Sequence, residues 1–71
     1  MYRIEYEYYD TRGHIRSKKI ECGGLDRVKF HCNNIKNLTE HKPIRTPRIT
    51  ETIGDRPDKE ISYMQIIKGE I

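Results

Sequence analysis

Apolar and polar residues alternate from the first positions of the chain: Tyr2, Ile4, Tyr6 and Tyr8 share one parity, while Arg3, Glu5, Glu7 and Tyr9 share the other. A period of two sends successive side chains to opposite faces, so this segment predicts a β-strand with one apolar face. Asp10-Thr11-Arg12-Gly13-His14 follows. A three-residue loop closed by Asp10 and His14 suits a type I turn followed by a left-handed residue, where glycine has no Cβ penalty. That loop fixes a register. Tyr8 falls opposite Arg16, Tyr6 opposite Lys18, Ile4 opposite Ile20 and Tyr2 opposite Cys22 on one face; Tyr9 meets Ile15, Glu5 meets Lys19 and Arg3 meets Glu21 on the other. The first face is apolar toward the chain ends and the second is charge-matched, as in a half-buried sheet.

Gly23-Gly24 ends the second strand, and the spacing then changes: Leu25, Val28, Cys32 and Ile35 recur at helical intervals, with Asp26 in the first turn. This predicts a helix from Leu25 to Asn34 or Asn37. Asn33-Asn34 offer an earlier stop, which would leave Ile35 to Glu40 extended. His41-Lys42-Pro43-Ile44-Arg45-Thr46-Pro47-Arg48 holds two prolines four apart, which exclude a regular helix and disfavour a central strand, so it reads as an exposed basic loop. Ile49–Ile53 reads as a strand, Gly54–Asp58 as a turn, and Glu60–Lys68 as a final strand with Ile61, Tyr63 and Ile67 on one face. The expected fold is α+β: an antiparallel sheet in β-β-α-β-β order with one helix packed on one face, over a core beneath Leu25, Val28 and Cys32.

Residues 1–71 make one small domain, of a size at which a single core supplies only about 3 to 5 kcal/mol of stability. Charged residues (35%) slightly outnumber hydrophobic ones (34%), so nearly every apolar side chain is needed for the core. Neither alanine nor tryptophan occurs, and isoleucine supplies most of the aliphatic content, which favours strands. No apolar run approaches the roughly 18 residues of a membrane span, and the first strand starts without a signal-peptide core, so a cytoplasmic protein with no membrane partner is expected. The net charge of +3 is unevenly spread: residues 1–10 carry −2, residues 11–48 carry +7 and residues 49–71 carry −2. An anionic partner is drawn first to the middle of the chain.

Cys22, His31, Cys32 and His41 present the residue types of a zinc site, but structural sites use close pairs such as C-x2-C, whereas nine residues separate each like pair here. Both cysteines lie on apolar faces and read as small core residues, with no metal or cofactor. Glu5 and Glu7 lie on the polar side of the hairpin, opposite Lys19 and Ser17, and Asp55, Asp58 and Glu60 lack calcium-loop spacing. No phosphate-binding glycine loop or G-x-S-x-G elbow is present, so the chain reads as non-enzymatic.

The remaining signal is a basic surface with tyrosines. Tyr8, Tyr9, Arg12, Arg16 and Lys18 on the hairpin, with Lys42, Arg45 and Arg48 on the proline loop, are the expected binding residues, because Tyr and Arg are enriched at interface hot spots. The expected partner is a protein or nucleoprotein complex. The alternative is weakly specific nucleic-acid binding, with phosphates neutralised by the basic block and Tyr8 or Tyr9 stacking on a base. Homodimerisation through an exposed edge at Ile49–Ile53 or the final strand is a third reading.

In size, build and absence of a catalytic motif, the chain resembles the small phage-encoded inhibitors of bacterial defence, including anti-CRISPR proteins, many of which are short single-domain α+β chains. The resemblance spans the whole chain as architecture and involves no signature residues. It implies a protein that docks on a macromolecular partner and modulates or inhibits it. One departure concerns charge: many such inhibitors are acidic and mimic DNA, whereas residues 11–48 are strongly basic. An acidic protein surface, the nucleic acid within a complex, or a nucleotide signal is the implied target.

Overall fold

The computed structural model describes residues 1–56 and 58–71. Among these residues six elements follow one another: β1 (Tyr2–Tyr9), β2 (Ile15–Cys22), α1 (Leu25–Lys36), β3 (Arg48–Glu51), β4 (Lys59–Ile61) and α2 (Tyr63–Ile67). The strands form one sheet in the order β2-β1-β3-β4, antiparallel throughout. Among the described residues no helix is long and apolar enough to cross a membrane.

The hairpin has the register that its loop dictates, from Tyr9 opposite Ile15 to Tyr2 opposite Cys22. At the turn, the Asp10 N–H donates to the His14 carbonyl at 2.9 Å and the Gly13 N–H to the Asp10 carbonyl at 3.0 Å, with Gly13 at φ +80°. The Asp10 carboxylate accepts from the backbone N–H groups of Arg12 and His14, both at 2.9 Å, and from Arg16 Nε at 3.0 Å. These donors, the His14 N–H foremost and then Arg16, hold its pKa below the ordinary 3.8. A depressed native pKa means that the stabilisation is complete above the unfolded value and disappears as pH falls through the native one. Asp10→Asn is therefore expected to lower the thermal midpoint at pH 7, with the gap from wild type closing below pH 3.8; a gap unchanged by acid would disprove the role of the charge.

Four isoleucines make the central row of the sheet: Ile4 pairs with Ile20 on one side and Ile49 on the other, and Ile49 with Ile61. Both helices pack over this row. Val28 and Cys32 are fully buried, Ile35, Tyr63 and Ile66 nearly so, and they join Ile4, Tyr6, Cys22 and Ile49 in one core. The helix stripe thus buries as its spacing predicts. The earlier stop at Asn33-Asn34 is not used. Two asparagines cost about 0.5 kcal/mol each in helix propensity, whereas burying Ile35 contributes about 1.5 to 3 kcal/mol, so α1 runs on to Lys36 with Asn37 as its C-cap.

Three expectations are corrected. The third strand covers Arg48–Glu51 rather than Ile49–Ile53: the Thr52 N–H still donates to the Met1 carbonyl, but beyond it the neighbouring strand has ended, and Ile53 is exposed. The final strand stops at Ile61 and is followed by α2, so the sheet carries two helices and not one. The reason lies in both ends of α2. Ser62 Oγ accepts from the Gln65 N–H at 3.3 Å as an N-cap. At the other end Gly69 takes φ +76°, which brings the Gly69 N–H to the Ile66 carbonyl and the Glu70 N–H to the Gln65 carbonyl, a Schellman closure. Lastly, among the described residues β3 lies between β1 and β4, so Ile49–Glu51 is not the exposed edge expected of it; the edges are β2 and the short β4. Pro57, assigned by sequence to the turn before β4, lies outside the described residues.

Candidate binding surface

The sheet face away from the helices carries Arg3, Glu5, Glu7 and Tyr9 from β1, Ile15, Ser17, Lys19 and Glu21 from β2, Arg48 and Thr50 from β3, and Glu60 from β4. Part of it is self-satisfied. Arg3 reaches Glu21 at 3.4 Å and Glu5 at 3.7 Å, and Arg48 reaches Glu60 at 3.8 Å. Such exposed pairs contribute no more than about 1 kcal/mol each and leave their groups free to exchange partners.

The proline loop is more firmly attached than its composition implies. The Ile44 N–H donates to the Glu7 carbonyl at 2.8 Å, which extends the β1 ladder past Arg48. Nearby, the Tyr8 ring lies 5.1 Å from His41, which has a left-handed φ of 54°. Pro47 is buried and Pro43 and Ile44 are half-buried, while Lys42 and Arg45 remain exposed. The two prolines therefore set a path along β1 that keeps the charges outside.

This path creates a cleft of about 290 Å³, with Glu5, Tyr6 and Glu7 of β1 between Ser17, Lys18 and Lys19 of β2 and Arg45, Thr46 and Arg48 of the loop and β3. Among the described residues, Lys18, Lys19 and Arg45 make no ion pair. Of the expected binding residues, Arg45 and Arg48 line the cleft from the loop and β3, and Lys18 borders it from β2 on the face opposite to Lys19. Tyr9 and Arg12 stand exposed toward the hairpin tip, and Arg16 is tied to Asp10. Tyr8 is turned partly inward against Tyr6 and His41, which makes it an anchor for the loop. Lys42 lines a second groove of about 530 Å³ with Lys36, Arg45, Ile35 and Tyr63. Lys19 was missed because its cross-strand place opposite Glu5 accounted for its charge; the free end of that pair becomes visible only when the loop arrives beside it.

The cysteines are free and buried. Burial, with Cys22 as a lesser cause, pushes the Cys32 thiol up to about 11, and burial also raises Cys22. His31 lies edge-on to Phe30 at 5.5 Å and His41 against Tyr8; among the described residues no group of three or more His, Cys, Asp or Glu is placed to hold a metal ion. Both thiols are expected to resist an aromatic disulfide reagent at pH 8 in the native state and to react on unfolding in guanidinium; rapid native reaction would show that they are accessible. Unfolded thiols ionise near 9 while Cys32 keeps its proton to about 11, so the thermal midpoint should fall as pH rises through that window.

No family model, curated protein or solved structure matches this chain.

Proposed function

We propose that the chain is a non-enzymatic binding protein that docks on an acidic surface of a cytoplasmic protein or nucleoprotein complex and modulates or inhibits it, in the manner of anti-CRISPR-like inhibitors carried by phages. The observation behind this reading is that Lys19 and Arg45 line one cleft without ion-pair partners among the described residues, with Lys18 at its border on the other face of β2. Glu5 and Glu7 in the same cleft favour a protein partner over a phosphate backbone, since a continuous polyanion would meet two carboxylates there while a mixed-charge protein surface can match them. Exposed Tyr9 and Ile15, opposite one another on the same face, add apolar contact toward the hairpin tip.

The test is affinity capture from nuclease-treated bacterial lysate, comparing wild type with Lys19→Glu/Arg45→Glu. Both side chains are exposed, so the variant should fold and lose at least about tenfold of the retained partner, the effect of removing close interfacial charge pairs. Equal retention by the variant would refute docking at the cleft. Retention that disappears on nuclease treatment and weakens steeply with salt would instead identify nucleic acid as the ligand.

A further inference from the structure

β2 is an eight-residue edge strand without a proline and, among the described residues, without a partner on its outer side. Its outward hydrogen-bonding groups follow from the turn. Because Asp10 and His14 form a hydrogen-bonded pair, alternation makes Tyr8–Arg16, Tyr6–Lys18 and Ile4–Ile20 the bonded pairs of the hairpin, and the N–H and C=O groups of Ile15, Ser17, Lys19 and Glu21 point away from β1. The other side of β1 agrees: Met1 exchanges bonds with Thr52, and the Glu7 carbonyl accepts from Ile44, so its odd residues face β3 and the loop.

Charge decides what can lie along this edge. A second copy would pair by a two-fold axis perpendicular to the sheet, which preserves faces and opposes residues of like parity. The two registers of greatest overlap set Lys18 against Lys18 or Lys19 against Lys19, both repulsive, and the register that matches Lys19 with Glu21 pairs only residues 18–22. An acidic strand meets the reverse situation, because Lys18 lies on one face of β2 and Lys19 on the other, so either parity of an alternating acidic segment finds a cation. We propose that the outer edge of β2 takes an extended acidic strand of a partner protein by strand addition, with carboxylates against Lys18 or Lys19 and an apolar residue beside Ile15 and Tyr9. This rests on the docking function above and specifies how the partner is held.

The probe is a synthetic peptide of about ten residues alternating glutamate with valine, compared with the same peptide N-methylated at every residue so that it keeps its charge and has no N–H donor on either edge. Amide hydrogen exchange is read residue by residue. The plain peptide should slow the Ser17 and Lys19 amides at least about tenfold, and the N-methylated one should not. Ser17→Pro, which removes one outward donor at an edge position that tolerates proline, should abolish both the protection and the partner capture while the hairpin spectrum is retained. Equal binding of the two peptides, absence of β2 protection, or a peptide-independent dimer by translational diffusion overturns strand addition. Partner capture that is lost in Lys19→Glu/Arg45→Glu but intact in Ser17→Pro leaves docking at the cleft standing and removes the strand mechanism alone.

Discussion

Ile49→Ala is expected to unfold the protein at 25 °C. Ile49 is completely buried, lies between Ile4 and Ile61 in the central row, and faces the helices. Truncating such a residue to alanine costs about 2 to 5 kcal/mol, because the lost transfer energy is joined by the energy of the cavity left behind. A chain of this size has about 3 to 5 kcal/mol in total. Ile4→Ala should behave alike, being equally buried and flanked by Ile20 and Ile49. Ile53→Ala is the control: its side chain is 45% exposed, and the change should stay within about 0.5 kcal/mol. Urea titrations followed by circular dichroism measure all three, and a cooperative transition for Ile49→Ala at the wild-type midpoint would contradict the placement of the core.

The second large effect distinguishes a helix from a strand at the end of the chain. As a strand with Ile61, Tyr63 and Ile67 on one face, the segment would point residue 65 inward and residue 66 outward. As α2 it buries Tyr63 and Ile66 and exposes Gln65. Ile66→Asp then places a carboxylate in the core with Val28, Cys32 and Ile35, where no polar or charged residue among the described ones is buried to receive it. An unpaired buried charge costs several kcal/mol even after its pKa shifts, roughly the whole stability of the domain. Gln65→Asp should change stability by no more than about 0.5 kcal/mol, as a surface substitution. Native amide spectra for Ile66→Asp together with collapse of Gln65→Asp would restore the strand.

The candidate site was only partly legible in the sequence, for a related reason. Alternation and helical spacing report which face of an element is apolar, and they located the basic residues on the hairpin and the loop separately. They do not report which loop lies beside which strand. Arg45 shares a cleft with Lys19 because the Ile44 N–H bonds the Glu7 carbonyl. That bond joins residues 37 apart in sequence and depends on the sheet order. Tyr8 shows the opposite error: chosen as an exposed contact near the hairpin tip, it is half-covered by a loop whose path no local pattern encodes.

By itself, the sequence determined the hairpin, its register and turn, the α1 stripe and the membership of most of the core, because each depends on periodicity or on turn geometry within a few residues. The signals for α2 were also local, in Ser62, Gln65 and Gly69, but a short apolar run reads as a strand or a helix until packing arbitrates. Tertiary structure alone decided that β3 enters beside β1 and leaves β2 as the long edge, that the proline loop closes a cleft against the hairpin, and that Ile66 is needed over the isoleucine row. These are long-range choices, set by which arrangement of a few isoleucines leaves least apolar surface in water.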